Sequence, residues 1–322
     1  MPPIAVFFVL LPDSLILDWA GPAEALRIAN QALAAREQPP RFDLRFVGPR
    51  PSPATSVGVR IADLAPLPDP LLAPSWLVLV GTPGRRLDAK EPAIRETIDW
   101  LRRQTLARDC VRLVTVCAGA LLAGHAGLLH GRRATTHHHH LEELRDIAPG
   151  CDVVGNRVFV IEEAVASSAG ITTGIDLALH LIAQECGAAL AAQVAQTMVV
   201  ALRRGPHDPE LSPFLAYRNH LHPALHRVQD AVSAEPQRDW TVPRMAQVGS
   251  ASPRHLTRLF LEHAGTSPLQ FLRRLRLAVA QAALQSGCGV TRAAEMAGFS
   301  SDTQLRRAWR QFEMGGRPSQ AE

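Results

Sequence analysis

A pattern in the last hundred residues repeats at an offset of 49: Gly249, Ser252, Leu256, Arg258 and Phe260 recur as Gly298, Ser301, Leu305, Arg307 and Trp309. A repeat of this kind means that one supersecondary unit is built twice. Each copy reads as a short apolar helix, Val242 to Val248 and Val290 to Ala297. A glycine then turns the chain with positive φ, and a serine N-cap opens a second helix. In that second helix Leu256 and Phe260, or Leu305 and Trp309, sit four apart on one buried face while arginines crowd the others. Between the copies, Pro268 to Ser286 reads as one continuous helix, with Pro at its start and Gly287 past its end. A stiff helix there holds two basic helices apart. Successive major-groove faces on one side of B-DNA lie about 34 Å apart, so a single chain is expected to read two half-sites.

The charge distribution agrees. From residue 222 onward there are 13 arginines against 8 carboxylates, net +5, whereas the first 221 residues hold 21 basic and 22 acidic groups, net −1. The excess positive charge therefore sits on the repeat-bearing end, where it steers the chain toward phosphate and makes binding fall with salt. Lys90 is the only lysine, so arginine fills almost every cationic role.

These features resemble the AraC family of transcription regulators, whose DNA-binding domain is a pair of helix-turn-helix units joined by a long helix. The matching positions include Ala246, Gly249, Ser252, Leu256, Arg258, Phe260, Gly265, Pro268, Arg276, Leu277, Ala280, Leu284, Gly298, Phe299 and Arg307, within roughly residues 223 to 313. The resemblance implies a double-stranded DNA operator as partner, with RNA polymerase added if the protein activates. By position the base-facing side chains are Arg254, Thr257 and Arg258 in the first unit and Asp302, Thr303, Arg306 and Arg307 in the second. After Phe312 the chain departs from the family's aromatic-Gly-x-Ser/Thr-Pro turn, running Glu313-Met314-Gly315-Gly316-Arg317-Pro318-Ser319. The second unit is therefore expected to be less well braced.

The first two hundred residues alternate strand-like and helix-like segments, as a parallel sheet covered by helices does. Strands are expected at Ile4 to Leu11, Phe42 to Val47, Trp76 to Val80 and Val111 to Val116. Helices are expected at Pro22 to Arg36, Pro92 to Ala107, Ala118 to Ala126, Gly174 to Cys186 and Ala188 to Arg203, with small strands between Cys151 and Ser168. The expected organisation is an α/β domain over 1–203, a linker over 204–222 containing Gly205-Pro206-His207-Asp208-Pro209, and an all-α domain with two helix-turn-helix units over 223–322. The opening apolar run has no basic region before it and is cut short by Pro12-Asp13, so it reads as a strand rather than a signal sequence. No stretch is long enough to span a membrane. Five scattered cysteines suggest neither a disulfide framework nor a zinc knuckle. A cytoplasmic setting is expected.

Leu113-Val114-Thr115-Val116 runs straight into Cys117 and then into Ala118-Gly119-Ala120. That is the pattern of a nucleophile elbow, in which a side chain stands at a strand's C-terminal end and a helix N-terminus favours the thiolate. Leu17-Asp18-Trp19-Ala20-Gly21-Pro22-Ala23-Glu24, Gly81-Thr82-Pro83-Gly84, Arg132-Arg133-Ala134-Thr135-Thr136-His137 and Ser168-Ala169-Gly170-Ile171-Thr172-Thr173-Gly174-Ile175-Asp176 accompany it. Together they resemble the PfpI-like, class I glutamine amidotransferase-like superfamily, specifically the N-terminal domain of GlxA-type regulators, over roughly residues 3 to 200. The resemblance implies a flavodoxin-like parallel sheet, a cleft lined by Asp18, Glu24, Thr82, Cys117 and His137, and a homodimer. It further implies a small-molecule effector, with an amine-containing metabolite as the expected class.

Two functions are open for that cleft: effector sensing, and Cys-dependent hydrolysis or hydration of the PfpI or isonitrile hydratase type. Ala118 stands where the protease-like branch has His, and the fusion to a DNA reader favours sensing. Bland readings also exist, with Cys117 as an ordinary buried thiol and Asp18 and Glu24 as helix-start carboxylates. His137 to His140 cannot all face one point on a helix, and no acidic or cysteine partner is suitably spaced. No metal and no cofactor are expected.

Overall fold

In the computed structural model, which describes residues 2–71, 74–84, 86–107, 110–200, 204–206, 217, 220–285, 287–312 and 318, the chain divides into two compact units, Met1–Glu210 and Leu211–Glu322. Most of the expected linker and most of the divergent run after Phe312 lie outside the described residues.

The first unit is a six-stranded sheet in the order β2-β1-β3-β4-β8-β7. Its strands are β1 (Ile4–Val9), β2 (Phe42–Val47), β3 (Ser75–Leu79), β4 (Val111–Val116), β7 (Phe159–Ile161) and β8 (Val165–Ser168). All pairings are parallel except the edge pair β7–β8. β1, β3 and β4 are near-continuous apolar runs because helices cover both faces. Helices α1 (Ile16–Ala34), α5 (Thr173–Cys186) and α6 (Ala188–Thr197) pack into one layer, and α2 (Pro92–Leu101), α3 (Gly119–His125) and α4 (Leu141–Ile147) into another. A short pair, β5 (Arg133–Ala134) and β6 (Asp152–Val153), stands apart from the main sheet. The connection after β1 leads to β2 on one side while β3 lies on the other, so the C-terminal ends of β1 and β3 flank a switch point where ligands bind in such sheets.

Three helices differ from expectation. The first begins at Ile16, so Asp18 lies in its first turn and Pro22 falls inside it. Proline's preference for the first helical position suggests a later start, whereas inside this helix Pro22 lacks the N–H that would reach the Asp18 carbonyl. The second ends at Leu101, after which Gln104 Nε2 donates to Trp100 O and Ala107 bridges to Val111. The third, expected over Ala188 to Arg203, ends at Thr197 before Val199 takes φ +55.

The second unit holds α7 (Pro223–Ala234), α8 (Val242–Val248), α9 (Pro253–Ala264), α10 (Pro268–Gln285), α11 (Val290–Met296) and α12 (Asp302–Gln311). It contains two cores. Leu225, Val228, Trp240, Met245, Leu256, Phe260 and Phe271 form one; Leu277, Ala280, Leu284, Ala294, Phe299, Leu305 and Trp309 form the other. α10 contributes its first half to one core and its second half to the next. At 18 residues it spans about 27 Å, and it is the strut that the sequence pattern required.

Candidate functional site

Cys117 ends β4 with φ +57, a strained value for a non-glycine residue, and its side chain is buried. Hydrogen bonds fix the strained residue: its N–H donates to Ser168 O at 3.1 Å, and Thr136 Oγ1 donates to its carbonyl at 2.8 Å. Gly170, at φ +103, passes so close that a Cβ there would collide with the Cys117 side chain. A Cβ at Gly81 would lie 2.9 Å from Asp18 Oδ2 and 3.1 Å from Cys117 Cβ. The elbow is thus shaped by glycines on two other loops.

Asp18 completes this cradle. It is fully buried, its Oδ2 accepts the Gly81 N–H at 3.0 Å, and its Oδ1 accepts the Ile171 N–H at 2.8 Å. Ile171 itself takes φ +52 to present that N–H. Burial raises the Asp18 pKa, while the two backbone donors and a hydrogen bond with the Cys117 side chain oppose the rise. The structure therefore joins Asp18 and Cys117, two of the five expected cleft residues. Thr82 follows Gly81 directly and is half-buried. His137 follows Thr136, the residue bonded to the Cys117 carbonyl, and is also half-buried. Its pKa is lowered to about 4 by burial first and by the neighbouring imidazoles second. Glu24 differs from expectation: its carboxylate is exposed and paired with Arg27 at 2.6 Å. The reason is helical phase. Once α1 starts at Ile16, Asp18 faces the sheet and Glu24, six residues on, faces solvent.

Sequence reasoning missed the backbone donors of Gly81 and Ile171, although both lie in the quoted segments. It also missed the role of Asp176. That carboxylate is buried and grips Arg204 through the Arg204 N–H at 3.0 Å, Nε at 2.9 Å and Nη2 at 2.6 Å. Arg204 Nη2 also reaches Thr172 Oγ1 at 3.0 Å. The segment holding Gly170 and Ile171 against Asp18 thus also clamps Arg204, seven residues beyond the end of α6.

In the second unit, α9 and α12 are N-capped by Ser252 and Ser301, whose hydroxyls accept from His255 N and Gln304 N at 3.2 Å each. Gln304 Oε1 in turn accepts the Ser300 N–H at 2.9 Å. Leu256, Phe260, Leu305 and Trp309 are buried. Arg254, Arg258, Thr303, Arg306 and Arg307 are exposed. Arg254, Thr257 and Arg258 share one open concavity of about 650 Å³ with Leu261 and Glu262. Two of the expected contact residues have internal commitments. The Thr257 hydroxyl donates to Pro253 O at 2.9 Å, and Asp302 Oδ2 accepts from Thr291 Oγ1 at 3.0 Å, tying α12 to α11. His255, exposed and 3.2 Å from Arg258 Nη2, was not anticipated on this face.

The expected glycine turn holds only in the second copy. Gly298 has φ +77, but Gly249 has φ −76 and the positive value passes to Ser250 at φ +52. Glycine is suited to position 249 for a different reason, since a Cβ there would meet Val228 Cγ2 at 3.0 Å.

With this geometry established, residues 245–320 match the family "Helix-turn-helix domain" and residues 75–184 match the DJ-1/PfpI family. The chain is 29% identical over 306 residues to the HTH-type transcriptional regulator GlxA of Rhizobium meliloti (strain 1021), covering 95% of this chain and 91% of that protein. It is 27% identical over 311 residues to the HTH-type transcriptional regulator GbdR of Pseudomonas aeruginosa (strain UCBPP-PA14), covering 96% and 82%. The fold of the first unit matches the crystal structure of an AraC family transcriptional regulator from Pseudomonas putida, with a TM-score of 0.51 at 19% identity over 61% of this chain and all of that one.

Proposed function

Because the chain belongs to the helix-turn-helix transcription regulators that carry a DJ-1/PfpI domain, we propose that it binds an operator of two half-sites through α9 and α12 and changes that binding when a small effector enters the Asp18–Cys117 cradle. The regulators GlxA and GbdR align along nearly the whole chain, and the protein is read as a regulator rather than an enzyme. Arg254, Thr257 and Arg258 serve one half-site; Thr303, Arg306 and Arg307 serve the other, with Asp302 bracing its helix. The proposed setting is the cytoplasm and the proposed assembly a homodimer, with RNA polymerase as a further partner if the regulator activates. Among the described residues no helix is long and apolar enough to cross a membrane.

One observation carries the effector reading. A buried carboxylate, a buried thiol on a strained residue and two loop N–H groups meet at the C-terminal ends of β1, β3 and β4, beside the buried Ser168 hydroxyl, which has no hydrogen-bond partner among the described residues. Such a set suits a small polar ligand with a hydrogen-bond donor for Asp18, and an amine-containing metabolite fits that requirement. Ligand contact at Gly170 or Ile171 would be passed through Thr172 and Asp176 to Arg204, near the end of the first unit.

Binding of the full-length protein to genomic DNA fragments across a salt series, with sequencing of the bound fraction, tests the first half. Enrichment of a few sites, each with two half-sites about one helical turn apart, is expected. Sequence-indifferent binding that salt abolishes uniformly overturns it. On such an operator Cys117→Ser should weaken the effector response and leave effector-free affinity unchanged; a wild-type response removes Cys117 from the site.

A further inference from the structure

Four consecutive histidines, His137 to His140, cannot converge on one point if they lie on an α-helix. Here they do not. His137 is extended, with φ −55 and ψ 139, and caps a single 3-10 turn formed by His138 to His140. In this arrangement the first three imidazoles fan together, with ring centroids 4.1 Å apart for His137 and His138, 4.3 Å for His138 and His139, and 4.9 Å for His137 and His139. One ring nitrogen from each of the three lies within 4.8 Å of the others. His140 turns the other way. It is buried, and its Nδ1 pairs with Glu143 Oε2 at 2.9 Å while Glu143 Oε1 accepts the Leu87 N–H at 2.8 Å. The fourth histidine thus fastens the turn to the body of the domain, leaving the other three on a fixed platform.

We propose that His137, His138 and His139 form a binding site for a late first-row divalent cation, Zn²⁺, Ni²⁺ or Cu²⁺, on the first unit. A donor set made only of imidazoles selects these ions over Mg²⁺ and Ca²⁺, which require oxygen ligands. Three nitrogens at about 2.0–2.1 Å from one ion sit roughly 3–4 Å from each other, so the rings need only close slightly. His138 and His139 are exposed and can make that adjustment by side-chain rotation. The contact from His139 N–H to His137 Nδ1, which closing the rings would disturb, is weak at 3.4 Å. Three protein ligands leave further coordination positions for water or a small anion.

The second histidine group, in the other unit, is differently disposed. His226 Nε2 bonds His220 O at 2.6 Å, and His222 Nδ1 accepts the Leu225 N–H as a helix cap. The 2.6 Å bond commits the His226 nitrogen to the backbone. The inference is independent of effector binding at Asp18 and Cys117.

The test uses the full-length chain without a histidine tag, dialysed against Zn²⁺ and separately against Ni²⁺, with the bound metal counted. One ion per chain is expected. The His138→Ala/His139→Ala variant should bind at least tenfold more weakly with an unchanged circular dichroism spectrum, and His139→Ala alone should show the same direction should the double variant not fold. X-ray absorption of the Zn²⁺ form should show imidazole nitrogen ligands. No saturable binding overturns the proposal. So does equal affinity in the variants, which would place the ion elsewhere, for instance at His220, His222, His226 and His263.

Discussion

The two helix-turn-helix units carry the same sequence pattern, yet they are held together by different means. The first unit has a core of large side chains, Trp240, Phe260 and Phe271 with Leu225 and Met245, and the positive φ of its turn falls on Ser250. The second has alanines at 280, 283, 293, 294, 297 and 308 around Phe299 and Trp309. It compensates by leaning on the first. A Cβ at Gly298 would lie 2.5 Å from Gln237 Cα, and Arg276 on α10 donates to Pro236 O at 2.8 Å and Arg238 O at 2.9 Å. All three partners belong to the loop between α7 and α8. A repeat in sequence therefore does not imply independent stability: the second unit uses the first as part of its support.

Substitutions at the paired glycines probe this most sharply. Gly298→Ala puts a side chain at φ +77 against a neighbouring backbone, and left-handed strain plus overpacking should cost about 2–5 kcal/mol in chemical denaturation. Gly249→Ala, at φ −76 and with a movable valine methyl as its tightest contact, should stay within about 1 kcal/mol of wild type. Similar losses at both positions would remove the distinction. Next in size, Arg276→Ala should destabilise by about 1–3 kcal/mol, because it removes charge-assisted bonds to two carbonyls. Hydrogen exchange should then rise in α11 and α12 more than in α8 and α9; a uniform rise would mean that the second unit does not depend on this tie. The smallest effect is expected at the caps, where Ser252→Ala and Ser301→Ala should each cost about 0.5–2 kcal/mol. The Ser301 loss should be the larger for DNA affinity, since α12 has the less substantial core; the reverse order would contradict that ranking.

The fold was legible wherever one physical signal dominated. Continuous apolar runs placed β1, β3 and β4, and the 49-residue offset with its serine caps placed α9 and α12. Local signals failed where tertiary contacts decide. Pro22 looked like a helix start, but α1 extends back to Ile16, and that shift in phase turns Glu24 away from Asp18 and toward Arg27. Gly249 looked like the positive-φ residue, yet packing against Val228 decides that position. At the elbow, the strand-to-helix pattern points to Cys117 and the first connection to Asp18, which the fold brings together. Their backbone donors, Gly81 and Ile171, come from loops 63 and 153 residues from Asp18, a juxtaposition only the folded sheet creates. At the histidine run the local conformation differs from the assumed α-helix, with an extended cap at His137 followed by a 3-10 turn.

The central claim is that both units read bases, and the direct measurement is affinity of Arg258→Ala and Arg307→Ala for the selected operator and for random DNA at several salt concentrations. Each substitution should cost about 1–3 kcal/mol on the operator, less on random DNA, and each should relax specificity in a different half-site. If Arg307→Ala loses equally on operator and random DNA, the second unit contacts phosphate alone and the two-unit account of base reading is wrong.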